Sequence, residues 1–471
     1  MRKTKIICTL GPASSTQEQI EELMRCGMNI ARFNFSHGTH ESHKKLMDNV
    51  KAVREKYELP VAIMLDTRGP EIRIRDVENG AVMLREGDPF TLTTREVMGT
   101  AREVTVSYKE LPHQLKPGSV LLIDDGKIKL SVREVRETDI VCIVTDGGEL
   151  HSKKSVNVPN VRLEMPYLSE KDEQDLLFGI EQDVDFVAAS FVRRKDDVIR
   201  LRKFLDYHGG HSIKIISKIE NIEGVENFDE ILLYSDGIMV ARGDMGVEVP
   251  FEQLPGIQKK FIRKCYQSGK MVITATQMLE SMTHNLMPTR AEITDVANAV
   301  FDGTSAVMLS GETTVGDHPA EVVRVMDRIV RRAESDAFEI GSFDRIRYDR
   351  SDSIVNAVCD AACTTARDMG ARAIIAVTMS GDTARGLSKF RPVEAIVAAT
   401  PSKKSFYQLS LSWGVEPVLA LTQETTESLF RHAVDCAKQL DMVAAGDKVV
   451  IVAGLPLQTR TPVNTIKVET V

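Results

Sequence analysis

The sequence predicts an α/β protein: a (β/α)8 barrel of the TIM type, interrupted by a small all-β domain and followed by an open α/β domain. Three observations carry that prediction. Eight short apolar runs, each with a polar end, alternate with helical patterns. Between the third and fourth runs, residues 71–167 change to period-two alternation. After about residue 345 the strand–helix alternation restarts. A chain of 471 residues suits several domains at roughly 100–200 residues each. Its 42% hydrophobic content is enough for large cores and excludes a disordered chain or a coiled-coil rod.

The eight runs are TKIICTLG (4–11), NIARFNFS (29–36), PVAIMLDT (60–67), DFVAASFV (185–192), KIISKIEN (214–221), GIMVARGD (237–244), MVITATQM (271–278) and AVMLSGET (306–313). Near-continuous apolar strands alternating with helices imply a parallel sheet buried on both faces. Segments 1–70 and 168–340 together approach the roughly 250 residues of a typical barrel. The first helix is expected to open on a capping box from Ser15 to Glu18, to bury Ile20, Leu23 and Met24, and to stop at Gly27. Ile257, Phe261, Ile262 and Cys265 line one face of a later helix that ends before Gly269.

In the insert, EIRIRDV, AVMLREG, FTLTT, EVTVSY and SVLLIDDGKIKLSVREV alternate with turns and contain no convincing helix. A small all-β domain inserted into a βα loop, on the barrel's functional face, is expected at 71–167. For 341–471 a helix is expected at 351–369, followed by strands AIIAVT, EAIVAAT and KVVIVAG with helices between them.

Composition excludes some partners. Sixty Lys and Arg against 68 Asp and Glu give a net charge of -8, which argues against nucleic acid and anionic membranes. One Trp, eight Tyr and sixteen Phe leave no aromatic–basic interleaving for single-strand binding. The seven Cys contain no CxxC pair, and Cys359 and Cys363 read as two core positions on one helix face, which suits a reducing cytoplasm. The apolar run at the N-terminus stops at Gly11-Pro12, too short for a signal peptide, and no run approaches the roughly 18 apolar residues of a membrane span.

Charged residues at the ends of barrel strands need a reason, because barrel interiors are filled with branched apolar side chains and the strands' C-terminal ends converge on one site. Four clusters stand out: Arg32, Asn34 and Ser36; Asp66 and Thr67; Lys218 and Glu220; and Arg242, Gly243 and Asp244. One such charge could be a structural ion pair; four clusters at one edge point to a site. Arg32 and Lys218 are donors of the kind that hold phosphate or carboxylate. Glu220 and Asp244 are expected on neighbouring strands, roughly 5 Å apart. Two carboxylates facing an anionic substrate require a cation between them, and a hard divalent ion such as Mg²⁺ meets that need. Gly243 leaves backbone free to approach a ligand.

Other signatures are absent. Gly311 to Gly316 has P-loop glycine spacing but continues Asp317-His318. His37, His40 and His43 lack zinc-protease spacing and read as a solvated helix start. No GxSxG occurs. Thr378 to Arg385, a hydroxyl-rich loop opening a helix, fits a phosphate cradle and equally an ordinary βα turn.

RFNFSHG (32–38), LDTRGPEIR (65–73), ISKIEN (216–221), GIMVARGDMGVE (237–248), TATQMLESM (274–282), PTRAEITDVANA (288–299) and VMLSGE (307–312) occur in the order in which they occur in pyruvate kinases. The chain resembles the pyruvate kinase family over its whole length. The resemblance implies a barrel, an inserted β-barrel lid at 71–167 and a C-terminal regulatory domain at 341–471. It implies transfer of the phosphoryl group of phosphoenolpyruvate to ADP, giving pyruvate and ATP in the last step of glycolysis.

By matching motif, Lys218 is similar to the lysine at the transferring phosphoryl group and Arg32 to the substrate-phosphate arginine. Glu220 and Asp244 match the Mg²⁺ (or Mn²⁺) ligands. Gly243, Asp244 and Thr276 line the phosphoenolpyruvate site, with Thr276 near the face where the enolate is protonated. Asn34, Ser36, Asp66 and Thr67 resemble the family's K⁺ site, and Glu71 agrees with K⁺ dependence. Arg73 and Lys154 match nucleotide-contacting positions. Thr378, Ser380, Gly381 and Thr383 keep a phosphate-loop pattern, implying a sugar-phosphate or nucleotide effector. The stretch Gly454 to Asn464 departs from the family's Gly- and Thr-rich loop and leaves that effector's identity open. Arg68 stands where Lys is common. A homotetramer without an extra C-terminal domain is expected. The alternatives are a Mg²⁺-dependent lyase or aldolase of the phosphoenolpyruvate/pyruvate barrel group, and a non-catalytic metabolite sensor. The first needs neither the lid residues nor the K⁺ cluster, and the second would be expected to have lost Lys218, Glu220, Asp244 or Thr276.

Overall fold

Eight parallel strands close on themselves: Lys5–Thr9, Ile30–Asn34, Ala62–Asp66, Phe186–Ala189, Lys214–Ile219, Gly237–Ala241, Met271–Ala275 and Ala306–Leu309. They neighbour one another in sequence order, and the first pairs with the eighth. The computed structural model describes residues 1–343, 353–457 and 461–471. Ile7, Ile30, Met64, Phe186, Ile216, Met239 and Ile273 fill the barrel, while the opposite strand faces pack on the helices.

Each strand is shorter than its apolar run, and the polar ends lie just beyond it. The sixth strand, expected to reach Asp244, stops at Ala241, and the helix Arg242–Glu248 begins there. The first helix is capped one residue later than expected. Thr16 is the N-cap, accepting from the N–H of Gln19, whose side chain in turn accepts from the N–H of Thr16. The start of helix His40–Lys56 is not solvated throughout, because His43 is buried, stacks on Phe35 at 4.2 Å and bonds the His37 carbonyl.

Residues 72–165 hold a core of their own. It is enclosed by a six-stranded sheet and a separate two-stranded one. The outer strands of the larger sheet, Glu103–Thr105 and Val156–Asn157, do not pair with each other. Residues 73 and 74 join the two sides through single bridges to Ser155 and Val106. The expected β barrel is therefore closed only by isolated bridges, since Arg73 and Ile74 contribute too short a stretch for a ladder. A short helix, Leu111–Gln114, also interrupts this segment.

The C-terminal sheet has five strands: Ala373–Val377, Ala395–Thr400, Val415–Leu419, Lys448–Ala453 and Thr465–Thr470. The third and fifth are absent from the sequence reading. Pro417 within one and the alternating polar residues of the antiparallel edge strand mask the apolar signal. The helix expected at 351–369 covers Ile354–Met369, and Cys359 and Cys363 are buried on it. Residues 351 and 352, and 458–460 of the stretch Gly454 to Asn464, lie outside the described residues. The C-terminal sheet's side of the molecule meets the barrel at the strands' N-terminal ends, where Lys5 Nζ donates to the Val415 carbonyl at 2.7 Å and Gln408 to the Asp185 carbonyl at 3.1 Å. The opposite barrel end is left to the insert.

Candidate active site

At the C-terminal strand ends, register brings distant residues together. Arg32 pairs with Met64 and Asn34 with Asp66 across the second and third strands. The buried Arg32 donates through Nε to Asp66 Oδ2 at 2.6 Å and through Nη1 to Thr9 Oγ1 at 2.8 Å. Lys218 Nζ, also buried, lies 3.1 Å from Asp66 Oδ1, 2.9 Å from Glu220 Oε1 and 2.7 Å from Ser190 Oγ. Glu220 accepts the N–H of Phe191 at 2.5 Å. Two cations and two carboxylates thus interlock in a buried layer at the strand ends.

Charge sets the protonation of this layer. Burial by itself would lower the Lys218 ammonium, yet Asp66 and Glu220 hold it above its ordinary value. Burial would raise Asp66, but Arg32 and Lys218 hold it below the usual carboxylate range. Glu220 is different. Burial pushes it up against the pull of Lys218, and the charge of Asp244 offsets part of that pull. A second carboxylate beside a buried, raised one fits the hard-oxygen donor set of a divalent ion held by one or two carboxylates plus waters and substrate oxygens.

The sixth and seventh strand ends are tied by Arg242, which donates to the carbonyls of Ala275 at 3.1 Å and Thr276 at 2.6 Å and pairs with Asp295 at 2.7 Å. Thr276 has φ +67°, an outlier for a β-branched residue. That conformation turns its hydroxyl to donate to the Ala275 carbonyl at 2.6 Å and accept the Gly243 N–H at 2.8 Å. Strain of this kind persists where surrounding structure imposes it, and it concentrates at functional sites.

A cleft of about 440 Å³ lies between barrel and insert, lined by Glu71, Arg73, Asp124, Lys154, Asp244 and Glu248 among others. Arg73 pairs with Glu71 at 2.7 Å and donates to the Lys153 carbonyl at 2.7 Å. Lys154 pairs with Asp124 at 2.8 Å.

A family model described as "Pyruvate kinase, barrel domain" matches residues 1–323, and one described as "Pyruvate kinase, alpha/beta domain" matches residues 356–469. The chain belongs to the pyruvate kinase family. The pyruvate kinase of Clostridium perfringens (strain 13 / Type A) is 45% identical over 472 residues, with both chains covered in full. That of Staphylococcus haemolyticus (strain JCSC1435) is 46% identical over 477 residues, covering 100% of this chain and 81% of the relative. A crystal structure of a pyruvate kinase from Cryptosporidium parvum superposes with a TM-score of 0.92 at 39% identity, covering 100% of this chain and 96% of that one. The chain is thus a phosphotransferase of this family, and the lyase and sensor alternatives fall away.

Among the positions that the pyruvate kinase resemblance singles out, Arg32, Asp66, Lys218 and Glu220 form one contact set, Gly243 and Thr276 a second, and Arg73 and Lys154 face the cleft from the insert. Asn34 Oδ1 accepts the Ser36 N–H at 3.1 Å, and Thr67 Oγ1 accepts the Ser190 N–H at 3.1 Å. Thr378, Ser380, Gly381 and Thr383 sit apart, at the start of helix Asp382–Lys389. That loop is closed on itself. Thr378 accepts the Gly381 N–H at 3.0 Å, Ser380 donates to Asp382 at 2.6 Å, Gly381 has φ +86° and Thr383 is buried. Sequence reasoning missed Ser190, which touches Lys218, lies 3.1 Å from Asp66 Oδ1 and donates to the Thr67 carbonyl at 2.6 Å. Its place at the polar end of the fourth run was the only available signal.

Proposed function

We propose that the chain transfers the phosphoryl group of phosphoenolpyruvate to ADP at the cleft between barrel and insert, giving pyruvate and ATP. The observation that carries this reading is the buried Lys218 ammonium, protonated among Asp66, Glu220 and Ser190 at the converging strand ends. Phosphoryl transfer asks for positioning and fixed positive charge more than for covalent help. Lys218 and Arg32 hold the phosphoryl oxygens while the enol C–O–P bridge breaks at phosphorus and the new bond forms to a β-phosphate oxygen of ADP. Glu220 and Asp244 would hold Mg²⁺ (or Mn²⁺), which would supply positive charge to offset that of the anionic substrate. The enolate left behind gains a proton at its methylene carbon on the side of Thr276, whose hydroxyl orientation is fixed by Gly243 and Ala275. Gly243 and Asp244 line the phosphoenolpyruvate pocket, and Arg73 and Lys154 reach the nucleotide from the insert.

Asn34, Ser36, Asp66 and Thr67 are assigned to K⁺ by the same motif matching, with the opposed Asn34 and Asp66 of neighbouring strands in support. The lid is taken as 71–167 and the regulatory domain as 341–471, with Thr378, Ser380, Gly381 and Thr383 receiving a sugar-phosphate or nucleotide effector. A cytoplasmic homotetramer completes the reading. Among the described residues no helix is long and apolar enough to cross a membrane. The test is pyruvate formation from phosphoenolpyruvate and ADP with Mg²⁺, with and without K⁺. Turnover that needs Mg²⁺ and rises with K⁺ is expected, and a folded sample with no turnover in both ions would overturn the assignment.

A further inference from the structure

Glu248 lies outside the proposed reacting set, yet its carboxylate touches segments that the reaction needs held together. It ends the helix Arg242–Glu248, one turn beyond Asp244. Its Oε2 accepts the N–H of Ile222 at 3.3 Å, two residues past Glu220. Ile222 opens the helix Ile222–Glu226, and the first N–H groups of a helix have no partner within it. Its Oε1 accepts from Nδ2 of Asn157 at 3.2 Å, in the edge strand of the insert and three residues past Lys154. Burial holds the Glu248 carboxyl above its ordinary range against those two bonds. Among the described residues no Lys, Arg or His forms an ion pair with it, so its two oxygens serve the bridge.

We infer that Glu248 is a positioning residue, a clasp that fixes the insert's Lys154 in one register with Asp244 and Glu220. The inference rests on the site roles proposed above. The bond to Asn157 has a direction, because a carboxylate only accepts and the amide donates. Exchanging the end groups reverses it while keeping it: Glu248→Gln supplies an amide that donates to the carboxylate of Asn157→Asp, and its oxygen still accepts from Ile222.

The experiment measures steady-state pyruvate formation, and thermal midpoints, for the wild type, each single variant and the double exchange. Asn157→Asp alone sets two carboxylates face to face, whereas Glu248→Gln alone leaves an amide pair that still bonds once the Asn157 amide turns over. Asn157→Asp should raise the KM for ADP about tenfold while leaving the KM for phosphoenolpyruvate within about twofold, and Glu248→Gln should leave both within about threefold. The double exchange should return the ADP value to within about threefold of wild type. Glu248→Asp, which keeps the charge and shortens the arm, should show the same ADP-selective loss and serves if a single variant does not fold. An Asn157→Asp loss that the double exchange does not relieve, or equal changes in both KM values, would overturn the clasp. An inactive wild type would instead overturn the underlying assignment.

Discussion

At Lys218 burial and charge act in opposite directions, and charge wins. An ammonium removed from water tends toward its neutral form, but Asp66 and Glu220 at 3.1 and 2.9 Å keep it protonated. Replacement by methionine keeps much of the stem volume and deletes the charge where the transferring phosphoryl group is proposed to lie. Lys218→Met should lower kcat by at least about 10²–10³, the loss typical of removing one fixed transition-state donor. Phosphoenolpyruvate binding should stay measurable by calorimetry, because Arg32 remains anchored on Asp66 and Thr9. Turnover within about tenfold of wild type would remove Lys218 from the chemistry. The neighbouring Ser190 shows what one residue cannot reveal in sequence. In DFVAASFV it looks like any small strand residue, and its importance comes from partners 28 and 124 positions away.

Secondary-structure elements were legible in kind and less so in their limits. Period and apolar runs reveal all eight barrel strands, because a strand buried on both faces needs an uninterrupted apolar stretch. They overrun at the C-terminal ends because Glu220, Asp244 and Thr276 belong to turns and helix starts rather than to the ladder. The first helix shows how close the competition can be. Ser15 with Glu18 and Thr16 with Gln19 both fit a capping box, and only backbone geometry separates them. Thr16 takes the extended N-cap conformation, with φ -90° and ψ 161°, and receives the reciprocal bonds. Thr16→Ala should therefore cost about 1 kcal/mol of stability in denaturant unfolding, whereas Ser15→Ala should be near neutral. Equal losses would show that the two positions share the cap. The edge strands Val415–Leu419 and Thr465–Thr470 were hidden because sheet edges tolerate the Pro and polar residues that weaken the pattern.

For the whole molecule, a net charge of -8 argues against polyanions but says nothing of local sites, where Arg73 and Lys154 line the cleft and Arg32 and Lys218 stand in the buried layer at the strand ends. The relation of barrel to C-terminal segment was equally invisible, since it depends on contacts between segments far apart in the sequence. Leu411 is fully buried and belongs to the cluster that fills the barrel, alongside Ile7, Ile30 and Phe186. It enters from the N-terminal strand ends, where Lys5 reaches the Val415 carbonyl, Lys404 bonds the Val184 carbonyl and Arg54 stacks on Tyr407 at 3.6 Å. A barrel interior is a packed core rather than a pore, so a missing plug leaves a cavity that the rigid strands close only in part. Leu411→Ala should cost about 2–5 kcal/mol. Because the lost contacts belong to both parts, barrel and C-terminal segment should unfold together in calorimetry, with their joint midpoint lowered. The reacting residues lie at the opposite strand ends, so kcat below the transition should stay within about twofold of wild type. An unchanged midpoint, or a loss confined to a separate C-terminal transition, would show that the barrel closes its own floor.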